Sequence, residues 1–163
     1  MNGAAFLPEF DHEFAQTRTA LQRVPEEHFS WKPHEKSYTL HELAFHLADL
    51  VRWTGPTLDE DVLDLDALGE RPVPPDSVEG LLAHFDEGLA VARAKVESAT
   101  PEQLESLWHM KQGGNVVLSM PKGAVLRSFI LNHNVHHRAQ LGVYLRLLDV
   151  PVPGHYGPSA DEM

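Results

Sequence analysis

The chain has 163 residues, with 13 Lys or Arg against 24 Asp or Glu and a formal net charge of −11. That is enough length for one domain (1–163) with a real core and too little for two comfortable ones. Such an acidic surface repels phosphate backbones and anionic lipid, which argues against nucleic acid and membrane as partners. There is no cysteine, so disulfides, thiolate metal ligands and a cysteine nucleophile are excluded.

The first residues, "MNGAAFLPEFDHEF", lack a basic start followed by a long apolar stretch, so no secretory signal is expected. No apolar run approaches the roughly 20 residues that cross a bilayer. The expected location is cytoplasmic.

Four segments carry the spacing of amphipathic helices. Phe6, Phe10, Phe14, Leu21 and Val24 mark the first, and Pro25 stops it. The second opens at Thr39 and Glu42, a T-x-x-E capping box, and continues through Leu40, Leu43, Ala44, Leu47, Leu50 and Val51. The third is capped by Asp76 or Ser77 and runs from Leu81 through Phe85 and Leu89 to Val96, bounded by Pro101. The fourth starts near Gly123 or Ala124 and runs to about Leu148, where "DVPVPG" ends it. Four such helices predict an all-α protein, a four-helix bundle.

About 20 residues rich in acid and proline, "TGPTLDEDVLDLDALGERPVPPD", make a long crossover between helices two and three, expected to be a solvated loop or lid. Before helix four, Gly113-Gly114 followed by Val116, Val117 and Leu118 fits a short extended hairpin.

The chemistry lies in "LNHNVHHRAQ". At about 100° per residue, His133 and His137 fall roughly 40° apart, on the face that carries Leu126, Ile130, Leu141 and Tyr144. Imidazoles at i and i+4 can converge on one ion. Burying two of them without partners is costly, because each has a donor and an acceptor to satisfy. A hydrogen-bonded core pair is the alternative. His46 flanks the apolar stripe of helix two as a possible third ligand, whereas His41 lies farther toward solvent. His136 sits to the other side of helix four, Arg138 on its polar side, and Gln140 close enough to the His133 face to touch a ligand. His34 is expected in an exposed loop, and Trp31 and Pro33 in the turn into helix two. Neither H-E-x-x-H nor H-x-x-E-H is present, since Asn134 and His136 stand where those motifs have glutamate. A peptidase is not expected.

Two blocks together resemble one family. "FSWKPHEKSYTLHELAFHLADL" and, some 80 residues later, "SMPKGAVLRSFILNHNVHHRAQLGVYLRLLDVPVPGHYGPSADE" are similar to the DinB-like (DinB/YfiT-like) metalloenzymes, over nearly the whole chain. The resemblance implies an up-down-down-up bundle with one divalent metal, held by His46, His133 and His137. His136 matches a neighbouring histidine that is not usually a ligand. Three imidazoles leave open coordination positions, as in catalytic sites, and zinc or nickel is the expected ion. The resemblance also implies a function: a transferase activating a low-molecular-weight thiol, such as bacillithiol or mycothiol, for attack on an electrophile. A metal-dependent hydrolase and a non-catalytic metal-binding stress protein are the alternatives. The expected partners are a small-molecule substrate and a second copy of the chain in a homodimer. The tail "PGHYGPSADE" is expected to fold back over the bundle, with Tyr156 near the site.

Overall fold

A computed structural model describes residues 2–70 and 72–163. The first helix, α1 (Leu7–Leu21), has Pro8 in its first turn, where no backbone donor is needed. It turns Phe10, Phe14, Thr17 and Leu21 inward. Helix α2 (Leu40–Asp49) begins at the expected capping box. The Thr39 hydroxyl accepts from the Glu42 N–H (3.1 Å), and the Glu42 carboxylate accepts from the Thr39 N–H (2.7 Å). It continues through a tighter turn, Leu50–Trp53, into a short helix α3 (Thr54–Asp59). Helix α4 (Val78–Ser98) is capped by the Ser77 hydroxyl, which accepts from the Gly80 N–H. A five-residue helix α5 (Pro101–Glu105) follows.

The strands are β1 (Val62–Asp64), β2 (Leu107–Gln112) and β3 (Asn115–Pro121). They form one sheet in the order β1-β2-β3, with β1 parallel and β3 antiparallel to β2. Gly113 and Gly114 both take positive φ (58° and 75°). A two-residue hairpin with this backbone matches the natural twist of the strands it joins. The chain then forms a short helix α6 (Lys122–Val125), a π-helical segment (Leu126–Asn132) and helix α7 (His133–Leu147).

Helices α1 and α2 each pack against α4 and α7. Their shared core holds Phe10, Phe14 and Phe85, with ring centroids 4.5 Å apart for the first pair and 6.2 Å for Phe14–Phe85. A smaller core of Leu63, Trp108 and Val125 seats the sheet on the helices. The fold is therefore mostly helical, but the all-α expectation needs correcting: a three-stranded sheet is present. The acidic crossover is not simply solvated either. Its first residues coil into α3, which buries Leu58, and its Val62–Asp64 becomes a sheet edge. A strand of three residues with one buried side chain, Leu63, is too short to show alternation.

Candidate metal centre

The three histidines singled out from the sequence come together. Helix α2 supplies His46, and α7 supplies His133 and His137. Ring centroids are 5.2 Å apart for His46–His133, 4.4 Å for His46–His137 and 4.6 Å for His133–His137. One nitrogen from each ring lies within 4.8 Å of the others. His137 is buried, and His46 and His133 are half-buried.

A hydrogen bond fixes which nitrogen of His137 points into the cluster. His137 Nδ1–H donates to Gln140 Oε1 (2.7 Å), which places Gln140 against the histidine cluster. The two Nε2 atoms lie 2.8 Å apart. With its Nδ1–H engaged by Gln140, neutral His137 turns the lone pair of Nε2 toward His133. That lone pair is satisfied either by a hydrogen bond from His133 Nε2–H or by a cation shared among the three rings. Burial pushes the protonation of both rings below the usual histidine range. For His133 the Phe129 carbonyl, and for His137 the Gln140 amide, pull the other way without cancelling it. Neutral imidazole is the ligating form. A set of three imidazoles with no carboxylate suits a borderline divalent ion such as those of the late first transition row. The residues fit a metal.

His136 is exposed, with its ring centroid 4.9 Å from that of His137. The Tyr38 ring lies 6.0 Å from that of His46. His34 lies in an exposed loop and accepts from the Lys36 N–H. Trp31 packs edge-on against Tyr144 (5.5 Å) and its carbonyl accepts from the Leu40 N–H, which anchors the turn into α2. His41, expected toward solvent, is instead half-buried: its ring stacks on Phe29 (4.3 Å) and meets the Pro75 carbonyl.

Arg138 departs furthest from expectation. It was placed on the polar side of the helix, and it is 1% exposed. The cause is that α7 packs on two neighbours. His133 and His137 face α2, while Asn134 and Arg138 face α1, so the buried arc is wide. Arg138 donates to the Glu13 carboxylate (2.6 Å), the Glu13 carbonyl (2.7 Å) and the Tyr156 hydroxyl (2.7 Å). Tyr156 in turn donates to Glu13 (2.7 Å), and Thr17 bonds the Asn134 amide oxygen. Desolvation raises the Glu13 carboxyl, but the bonds from Tyr156 and Arg138 outweigh it and hold the group below its ordinary value. The tail does fold back. Its Tyr156 hydroxyl engages Arg138 and Glu13, and Asp161 pairs with Arg146. Glu13 was the missed member of this network. Its signal was a carboxylate three residues after Phe10 and four before Thr17, inside the apolar stripe.

A mostly helical fold with three histidines gathered between two of its helices is an arrangement that could hold a metal ion, and comparison with known proteins gives the family. The DinB family profile matches residues 1–163, and the chain belongs to the DinB family. The sequence is 26% identical over 161 residues to the uncharacterized protein YrdA of Bacillus subtilis, covering 96% of this chain and 89% of that one. Two crystal structures share the fold. One is a DinB-like protein from Bacillus cereus, with a TM-score of 0.71 at 24% identity, covering 93% of this chain and 95% of the other. The second is the DinB-like protein YjoA from B. subtilis, with a TM-score of 0.68 at 19% identity and 96% of each chain covered. Among the described residues no helix is long and apolar enough to cross a membrane.

Proposed function

We propose that this protein binds one divalent ion, zinc or nickel, through His46, His133 and His137, and that it is a transferase activating a low-molecular-weight thiol for attack on an electrophile. The observation that carries the metal reading is the convergence of one nitrogen from each of His46, His133 and His137 within 4.8 Å of the others, with His137 held by Gln140 at its other nitrogen. In this reading the four long helices form an up-down-down-up bundle in one domain, and the chain works as a cytoplasmic homodimer. When bound, the ion supplies Lewis acidity that favours an anionic ligand such as a thiolate.

The chain's own contribution is threefold. Three neutral imidazoles add no negative charge to the site, so an incoming anion meets the full charge of the ion. No cysteine competes with an external thiol. His136, exposed beside His137, and Tyr38, half-exposed beside His46, flank the approach where a small molecule would enter.

The test uses cobalt-substituted protein prepared without an affinity tag, titrated with a panel of thiols that includes bacillithiol, mycothiol and glutathione. A sulfur-to-metal charge-transfer band in the near ultraviolet, lost in His46→Ala, is the expected result. A spectrum that responds to simple anions and to no thiol refutes the transferase in favour of metal-dependent hydrolysis. One that responds to neither refutes catalysis and leaves the ion as a staple between α2 and α7.

A further inference from the structure

Three side chains along one side of α7 make a line of hydrogen bonds. His137 stands four residues after His133 and three before Gln140, so each is the next one's neighbour on the helix surface. Gln140 Oε1 lies 2.7 Å from His137 Nδ1, and His137 Nε2 lies 2.8 Å from His133 Nε2. An amide oxygen can only accept, so Nδ1 carries the proton of neutral His137 and its Nε2 can only accept in turn. The contact between the two Nε2 atoms therefore needs the proton of neutral His133 on Nε2.

We propose that the metal-free site is closed by a one-way relay, His133 Nε2–H to His137 and His137 Nδ1–H to Gln140, and that Gln140 is the positioning residue that sets its direction. The proposal deepens the metal reading above and rests on it for its part in function. The relay gives both rings partners without an ion, and it makes the two ligands on α7 unequal. His137 already turns a lone pair toward the point where the three rings converge. His133 turns an N–H there. It becomes a ligand only when its proton sits on Nδ1 instead, a change of tautomer that leaves its charge unaltered.

The direction hangs on one amide. If Gln140 turned its NH2 to the ring, Nδ1 would accept, the proton of His137 would move to Nε2, and the more buried ligand would be the blocked one. The structure turns the oxygen to the ring. Acceptors behind ligating imidazoles fix both tautomer and ring orientation. Here the acceptor comes from the same helix and is exposed, so it can be replaced without opening the core, and variants at Gln140 are expected to fold.

The experiment compares the parent with Gln140→Leu, which has no acceptor, and Gln140→Glu, which keeps one. Long-range ¹H–¹⁵N spectra of the metal-free proteins at mildly alkaline pH report the tautomer of each histidine, and chelator competition reports zinc affinity. The metal-free parent is expected to show His137 as Nδ1–H and His133 as Nε2–H, with a scalar coupling between the two Nε2 atoms across their hydrogen bond. On adding zinc, His133 is expected to change to Nδ1–H while His137 stays as it was. Gln140→Leu is expected to let His137 revert to Nε2–H, the form that imidazole prefers in water, and to bind zinc roughly 10- to 100-fold more weakly. Gln140→Glu is expected to restore both the tautomer and the affinity. A metal-free parent with His137 in the Nε2–H form overturns the proposal and leaves the metal reading standing if zinc still binds. Undiminished affinity in Gln140→Leu, or a Gln140→Glu variant as weak as Gln140→Leu, overturns it as well. A parent that shows the relay and takes up no zinc refutes the metal reading and supports the relay as the resting arrangement of the rings.

Discussion

Removing the Glu13 carboxylate is expected to be among the most destabilising single changes available outside the apolar core. Its partner Arg138 is 1% exposed and the Glu13 side chain 11% exposed, so the guanidinium has no water to fall back on. Breaking one partner out of a buried ion pair costs about 3–5 kcal/mol, because the other charge is left desolvated. Glu13→Ala should fall at the low end, about 3 kcal/mol, since the Glu13 backbone carbonyl and the Tyr156 hydroxyl still accept from or contact Arg138. Glu13→Gln keeps the shape and loses the charge, for roughly 1–2 kcal/mol. For a chain of this size about 3 kcal/mol lowers the melting midpoint by roughly 6–12 °C. Urea unfolding at constant m is the assay. Replacing both partners, Glu13→Leu with Arg138→Met, should recover much of the loss, because an apolar pair has no charge to strand. The reasoning fails if Glu13→Ala costs under about 1 kcal/mol, as an exposed ion pair would, or if the double replacement is worse than Glu13→Ala.

Zinc at a thousandfold excess over its dissociation constant should stabilise the fold by about 4 kcal/mol; calorimetry with and without chelator measures it, and His136→Ala should keep the effect while His133→Ala and His137→Ala lose it. The C-terminal tail should detach in acid. Arg146 and the Val152 N–H hold Asp161 below its ordinary pKa, and the Gly154 and Ser159 N–H groups hold Glu162 below its own. Both groups therefore favour the folded tail above their unfolded values and lose that contribution as pH falls through the folded ones. Backbone relaxation of residues 152–162, followed from about pH 7 down to about pH 2, tests this, and unchanged order throughout refutes it. Phe85→Ala removes a fully buried ring packed on Phe14 and should cost about 3–5 kcal/mol by denaturant titration.

Some of this architecture is written locally in the chain and some is not. The start of α2 was legible because Thr39 and Glu42 satisfy each other's backbone within four residues. The histidine cluster was legible because two of its members share a helix face and the third lies in a recognisable block. The hairpin turn was legible because two successive glycines tolerate positive φ. What escaped notice depends on distant partners. Val62 pairs with His109, and nothing in "VLD" announces that strand. Arg138 looked like a surface residue because an arginine normally is one, and its burial is visible only once Glu13 is known to face it. The π turn left a trace, Val125–Ile130 and Leu126–Leu131 five apart, but five apolar residues in seven also satisfy an α-helical stripe.

The parallel pairing of β1 with β2 has a consequence for how the chain reaches this structure. Strands β2 and β3 close through a two-residue turn, so their ladder is local and can zip on the timescale of an isolated hairpin, microseconds. Strand β1 can join them only after all of α4 has been laid down between it and β2, and that closure is entropically expensive. Its three residues and single buried leucine return little for that cost until Trp108 and Val125 are already in place. The sheet therefore assembles in two stages, the hairpin first and the β1 edge last, and the crossover between α2 and α4 stays loose until the final one.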